Sequence, residues 1–308
     1  MRSISPWIAA VAVCAMCTAP AIAQDSGTLK KIKGKNAITL GVRAAASPFS
    51  FLDDKQQYVG YSIDLCMKIV EAVKARLQMP DLKINLTKVT PQTRLPMVIS
   101  GDVDLECGSS TNTVERQKTV AFVVTTFFTS TKLLVKSFAG LRSYRDLGGK
   151  TVVVTSGTTN EHAIKDYNLR ESLGMRFIQV RDQQAAILAV DNGSAAAFPM
   201  DEVLLYGMRA NAKNSADFAI VGEALTDEPY GIVLRKDDPP FKTLADDAVI
   251  VLFRSGEINR IYARWFESPI PPRNINLNMP MSSTLRSYIS RPNSEGVGKC
   301  GRMQCMSP

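Results

Sequence analysis

Two hydrophobic rhythms take turns along this chain, one with the period of a strand and one with the period of a helix. Residues 37–42 read as a strand. Over residues 62–77, Ile63, Cys66, Met67, Val70, Val73 and Leu77 fall on one face at helical spacing. A strand at 82–86, a helix at 92–99 and a strand at 103–105 follow, and then a long Val-, Phe- and Thr-rich β-like stretch at 121–135. A second series repeats the alternation: strand 151–154, a helix from His162, strand 175–180, helix 183–190, strand 195–198, helix 202–210 and strand 218–221. A β-like run at 230–234 and helices at 240–253 and 258–266 close the pattern. Strands that alternate with helices predict an α/β fold built in layers. Two β-like crossings, near 127–136 and 228–235, bracket the second series. This bracketing predicts one lobe inserted into another, joined by two strands that can hinge. The expected division is residues 24–133 for the first segment of lobe 1, 134–228 for lobe 2, 229–290 for the return to lobe 1 and a proline-rich wrap, and 291–308 for a flexible tail.

The chain ends add a compartment. Arg2, an apolar run over 7–16 and Ala21-Ile22-Ala23 before Gln24 form the pattern of a secretory leader cleaved after Ala23. That run is too short to span a bilayer, and no later stretch is long and apolar enough. The expectation is therefore an exported, soluble protein, placed in the periplasm. Cys14 and Cys17 belong to the leader, in a context that gives no lipid-attachment site. Export permits disulfides. Cys300 and Cys305 are close enough in the polar tail to pair, whereas Cys66 on a helix face and Cys107 at a strand end read as small buried residues. His162 is the one histidine, which excludes a multi-histidine metal site and leaves any Ser-His-Asp triad to that residue. No cofactor and no metal are expected. The formal charge of +8, one unit of it from Arg2, is interspersed with acids, and no dense basic block marks a nucleic-acid arm.

Two stretches share a build and carry the candidate chemistry. One is Leu105-Glu106-Cys107-Gly108-Ser109-Ser110-Thr111-Asn112-Thr113-Val114-Glu115-Arg116, and the other is Val152-Val153-Val154-Thr155-Ser156-Gly157-Thr158-Thr159-Asn160-Glu161. Each reads as an apolar strand that ends in a hydroxyl-rich turn opening a helix. Unpaired amides, hydroxyls and the helix dipole at such a start suit an anion. One such turn is an ordinary N-cap. Two in one exported chain, with Arg116 behind the first, point to a site that holds a small carboxylate from two sides.

At these residues the chain resembles a known family. Gly41-Val42-Arg43, Pro48-Phe49-Ser50-Phe51, Gly60-Tyr61-Ser62-Ile63-Asp64, Glu106-Cys107-Gly108-Ser109 through Glu115-Arg116, and Trp265-Phe266 with Pro269-Ile270-Pro271-Pro272 stand in a familiar order. Over about residues 30 to 290 it is similar to the family 3 extracellular solute-binding proteins, and within them to periplasmic glutamate/aspartate-binding proteins that serve ABC transporters. The resemblance implies a two-lobed periplasmic-binding-protein fold of type II, a monomer that takes L-glutamate or L-aspartate, and a permease in the inner membrane as partner. It also implies roles. Arg116 pairs with the ligand's α-carboxylate, Ser109, Thr111 and Thr159 donate to the same group, Asp201 accepts from the ammonium, and Arg43 and Arg94 hold the side-chain carboxylate. A guanidinium fork suits each carboxylate role in a way a lysine does not. Three positions depart from the pattern. Ser62 stands where an acid is usual, Pro91 where a serine is expected, and Gln183 where a histidine is expected. Gln183 still donates an amide but adds no charge, so the last two changes bear on the choice of side chain.

Two other classes compete with transport. The same family includes dehydratases of the cyclohexadienyl and arogenate type, for which Glu161 or Asp201 would be the general acid. A secreted amino-acid sensor shares the binding chemistry and differs only in partner. Fold alone does not choose among these readings. The cavity's excess of donors for fixed anions favours a non-enzymatic binder.

Overall fold

Two sheets divide the chain much as the alternating pattern predicts. The structure is a computed structural model that describes residues 27–298. The expected leader, with Cys14 and Cys17, and the Cys300–Cys305 pair lie outside the described residues. In the first lobe the sheet runs, edge to edge, through Lys83–Lys88, Ala37–Val42, Leu105–Glu106, Val233–Arg235 and Val120–Phe122. Its first three strands are parallel, with Ala37 opposite Lys83 and Leu40 opposite Leu105. Val233–Arg235 is antiparallel to both of its neighbours. In the second lobe the order is Arg176–Val180, Thr151–Thr155, Ala197–Asp201, Phe127–Lys136 and Phe218–Val221.

Local sequence explains the helices that cover these sheets. Helix Tyr61–Leu77 buries Ile63, Cys66, Val70, Val73 and Leu77 of the stripe read from the sequence, while Met67 is half-buried and Ile69 is buried in addition. It stops at Gln78, which takes a left-handed conformation and returns its N–H to Ala75. Helix Thr159–Arg170 starts on Thr158, whose hydroxyl accepts from the Glu161 amide at 3.1 Å. Helix Gln183–Asp191 starts in the same way on Asp182, at 3.0 Å from the Ala185 amide. Among the described residues no helix is long and apolar enough to cross a membrane.

The β-like stretch expected over 121–135 is two strands that belong to different lobes. Val120–Phe122 sits in the first sheet and Phe127–Lys136 in the second. The return crossing splits likewise into Asp227–Tyr230, paired with Phe127–Lys136, and Val233–Arg235. The chain therefore changes sheets at residues 123–126, before the expected boundary after residue 133, and at 231–232, just past the expected boundary after residue 228. The two connectors hold each other, with the Val123 and Thr126 amides donating to Ile232 and Tyr230, each at 2.9 Å. Around them packs a cluster of rings. Phe127 lies 4.9 Å from both Phe49 and Phe266, and Phe49 lies 5.0 Å from Tyr230.

Three further expectations are corrected. First, the run after Leu105–Glu106 opens no α-helix and reaches only a short 3-10 turn at Arg116–Lys118. Its backbone is committed elsewhere: the Asn112 amide donates to Pro229, Ser110 accepts from Gly231, and the Val114 amide donates to Val297. Second, Cys66 and Cys107 are fully buried as expected, but they are also bonded to each other. Helix Tyr61–Leu77 packs on the first lobe's sheet and brings their Cα atoms to 6.1 Å, within disulfide reach. Third, the expected free tail begins with a docked segment. Thr125 and Asn112 donate to the Asn293 and Ser294 carbonyls at 2.8 and 2.9 Å, and Val297 is buried. A helix at Gly27–Lys35, a small sheet over 45–59 and a helix at Ser283–Ser290 complete the fold.

Candidate functional site

The C-terminal ends of the parallel strands face the line where the lobes meet, and the predicted residues collect there. Arg43 follows the strand Ala37–Val42 directly, and its amide donates to Ser50 Oγ at 2.8 Å. Arg94 opens helix Arg94–Ser100. Ser109 and Thr111 stand on the extended segment after Leu105–Glu106. Across the line, Thr159 and Gln183 each open a helix of the second lobe, and Asp201 ends the strand Ala197–Asp201. Arg43, Arg94, Ser109, Thr111, Thr159, Gln183 and Asp201 line one small, tightly closed cavity of about 10 Å³. Thr158, Asn160 and Met200 complete its wall. Arg116 stands just behind, donating from Nη1 to the Thr111 carbonyl at 2.8 Å and from Nη2 to the Gly157 carbonyl at 3.2 Å. Its guanidinium thus ties one lobe to the other.

The cavity is strongly polarised. Arg43 and Arg94 are 2% and 3% exposed. Arg43 Nη2 donates to Gln183 Oε1 at 2.5 Å, a second tie between the lobes. Arg94 Nη1 donates to the Ser109 carbonyl at 3.1 Å, and its buried Nε has no partner. None of the three guanidiniums is ion-paired with a carboxylate among the described residues. Loss of hydration, with Arg94 adding repulsion, lowers Arg43 to about 10. The same two causes lower Arg116 to about 10, although that residue as a whole is only half-buried. Arg43 and Arg116 both remain charged at neutral pH. Buried cations without an anion are costly, and a buried donor without a partner calls for one.

The opposite wall is acidic. Asp201 stands at the N-cap position of helix Glu202–Asn211, yet its side chain makes no cap bond. It accepts instead from the Tyr230 hydroxyl and from Asn160 Nδ2, the latter at 2.8 Å. Burial, reinforced by the charge of Glu228, raises Asp201 to about 7. Thr159 does not fit its expected role, because its hydroxyl donates to Glu228 Oε2 at 2.7 Å and a hydroxyl has one proton. Pro91 is buried but does not line the cavity. Its carbonyl oxygen lies 3.0 Å from the place where a Cβ on Gly157 would stand, and Gly157 has φ +81°. The close approach of the lobes there leaves room only for glycine.

Sequence reasoning missed Asn160, Glu106, Glu228 and Tyr230. Asn160 adjoins Thr159 in the second hydroxyl turn, and Glu106 stands inside the quoted motif. Glu228 had a weaker signal, an acid within a β-like return. A wider, mostly apolar groove between the lobes is lined by Phe51, Leu52, Ile187, Leu188, Met208 and Phe218, and it lacks any such pairing of arginines with acids. Among the described residues no group of His, Cys, Asp and Glu side chains is arranged to hold a metal.

Comparison with known proteins agrees with this architecture. The family model of the bacterial extracellular solute-binding proteins, family 3, matches residues 38–268. An L-glutamate/L-aspartate-binding protein of Pseudomonas aeruginosa is 44% identical over 299 residues, which cover 96% of this chain and 99% of that protein. The glutamate/aspartate import solute-binding protein of Escherichia coli is 42% identical over 270 residues, 88% of this chain and 89% of that one. Among solved structures, an ancestral amino acid-binding protein described as a precursor of cyclohexadienyl dehydratase is 26% identical, with a TM-score of 0.66 over 78% of this chain and 99% of its own.

Proposed function

The chain belongs to the bacterial extracellular solute-binding proteins of family 3, and from that premise we propose that it captures an acidic L-amino acid, glutamate or aspartate, between its lobes and delivers it to an ABC-transporter permease. The observation that carries this reading is the set of three guanidiniums at the cavity without a protein carboxylate as ion-pair partner, opposite Asp201. Arg116, with Ser109 and Thr111, suits the α-carboxylate. Arg43 and Arg94, with the Gln183 amide, suit the side-chain carboxylate. Asp201 suits the ammonium. The protein works as a monomer in the periplasm and does no chemistry on its ligand. The names of its relatives support the acidic ligand and the import role.

The dehydratase alternative draws on the raised pKa of Asp201, whereas the structural neighbour described as a precursor of cyclohexadienyl dehydratase is itself an amino acid-binding protein. Glu161 is a poor general acid. Burial opposes its ionisation, but bonds from Lys165, Gln179 and the Gly157 amide more than offset this and hold it below the usual carboxylate range. Titration calorimetry against the twenty amino acids tests the proposal. A ligand of about ten heavy atoms reaches micromolar affinity, near −8 kcal/mol, within known efficiency limits. The ligand should come back unmodified, and at 100 times Kd it should add roughly 2.7 kcal/mol of stability. Turnover of prephenate- or arogenate-like substrates above a protein-free blank would favour the enzyme.

A further inference from the structure

Glu228 has no part in the roles above, yet it is 1% exposed at the root of the cavity. It lies on Asp227–Tyr230, the return crossing between the lobes. Its oxygens accept from hydroxyls: Thr159 at 2.7 Å, Thr226 at 2.6 Å and Thr131 at 3.4 Å. Asn160 Nδ2 donates both to Thr131 Oγ1 at 2.7 Å and to Asp201 Oδ1 at 2.8 Å. Asp201 and Glu228 are thereby two acids of one hydrogen-bonded network that runs through Asn160 and Thr131. Thr159 hangs from that network into the cavity. Its proton is committed to Glu228, so Oγ1 offers only lone pairs to whatever the cavity holds. Lone pairs suit an ammonium and repel a carboxylate.

On the reading of the cavity proposed above, we infer that Glu228 is a positioning residue for the ligand's ammonium group, fixing Thr159 as an acceptor and adding a second negative charge beside Asp201. The groups facing this pair are Tyr230 from the same crossing, Arg94 and Arg116 from the first lobe, and Asn160 from helix Thr159–Arg170. Lys132, on the adjoining strand, is occupied by Glu202 at 2.9 Å. The geometry has a consequence for pH. Asp201, at about 7, is partly protonated in the empty cleft at neutral pH. An ammonium favours its ionised form, so affinity should strengthen as pH rises through about 7 and then level off. Replacing Glu228 by a neutral group removes the charge that opposes ionisation of Asp201. The transition should then move to lower pH, while the alkaline plateau weakens.

The test is calorimetry of L-glutamate binding to the wild type, Glu228→Gln and Thr159→Val from about pH 5 to about pH 9. Glu228→Gln should weaken the plateau at least tenfold and lower the transition by about half a pH unit or more. Thr159→Val should weaken the plateau with a smaller shift. A purely structural role for Glu228 would alter affinity and leave the transition in place, and that result overturns the inference. So does an unchanged plateau in Glu228→Gln. Should that variant not fold, the wild type suffices. Binding near pH 7, measured in two buffers of different ionisation enthalpy, should release a fraction of a proton, and the absence of any release also overturns the inference. A wild type that binds none of the twenty amino acids removes the cavity reading itself, and the inference with it.

Discussion

Gly207 gives a direct test of lobe closure, because one methyl group added there should move stability and affinity in opposite directions. The residue lies inside helix Glu202–Asn211 of the second lobe and has no positive φ. It faces Ser47 of the first lobe. A Cβ at Gly207 would stand 2.5 Å from the Ser47 carbonyl oxygen and 3.2 Å from its carbonyl carbon. The obstacle is backbone and cannot swing aside, so relief requires the lobes to part by about 1 Å at this point. That movement stretches the bonds from Arg43 to Gln183 and from Arg116 to Gly157 that cross the cleft. Overpacking of this kind costs about 1–3 kcal/mol, which corresponds to an affinity loss of about 5- to 150-fold. An open, ligand-free molecule avoids the clash and keeps the benefit of alanine over glycine in a helix, about 1 kcal/mol. Gly207→Ala should therefore melt at the same or a slightly higher temperature than the wild type without ligand, yet bind L-glutamate more weakly by calorimetry. Affinity within twofold of the wild type would refute the closure argument. A ligand-free melting point several degrees lower would show that the contact supports the lobes themselves.

Other consequences follow from the same geometry. Arg116→Lys keeps a cation but loses the fork that now reaches both Thr111 and Gly157, so every amino-acid ligand should bind at least tenfold more weakly, about 1.4 kcal/mol by titration. Arg94→Ala should weaken acidic ligands at least tenfold more than their amides in paired titrations, and equal losses would remove Arg94 from the side-chain end. The Cys66–Cys107 bond closes a loop of sequence separation 41, so replacing both cysteines by alanine should cost about 4 kcal/mol in denaturant unfolding.

The parts of this fold that were legible in the sequence are those that local forces decide. The stripe from Ile63 to Leu77 could serve only a helix with one buried face, and it formed one. Thr158, inside the second hydroxyl turn, caps its helix because a short polar side chain at a helix start has few better uses. The first hydroxyl run has similar local chemistry and no α-helix. What differs is tertiary: Pro229, Gly231 and Val297, all distant in sequence, take up its backbone groups. Pairing across such distances leaves no mark in a local window. The disulfide was hidden for a related reason. Burial of Cys66 and Cys107 is a local property, but their approach depends on how a helix lies on a sheet. Glu228 was missed because an acid in a surface-like turn and an acid in a buried network have the same spelling.

The charge balance of the closed cleft argues for a dicarboxylate over its amide. Arg43, Arg94 and Arg116 bring three guanidiniums to one place, and Arg43 and Arg116 keep their protons at neutral pH. Facing them are Glu106, Asp201 and Glu228, each at most 2% exposed. Burial and Glu228 keep Asp201 partly protonated near neutral pH, so the acids do not match the arginines. The charges are also separated. Asp201 and Glu228 sit together through Asn160 and Thr131, while Arg94 and Arg43 lean on Ser109 and Gln183. A ligand that fits this field presents its ammonium to the acids and its negative charge to the arginines. An α-amino acid with a neutral side chain cancels itself and leaves the surplus cation buried. A second carboxylate neutralises that surplus, and in a closed cleft an uncompensated charge costs several kcal/mol. This reasoning predicts that equimolar glutamine or asparagine will fail to displace bound glutamate or aspartate.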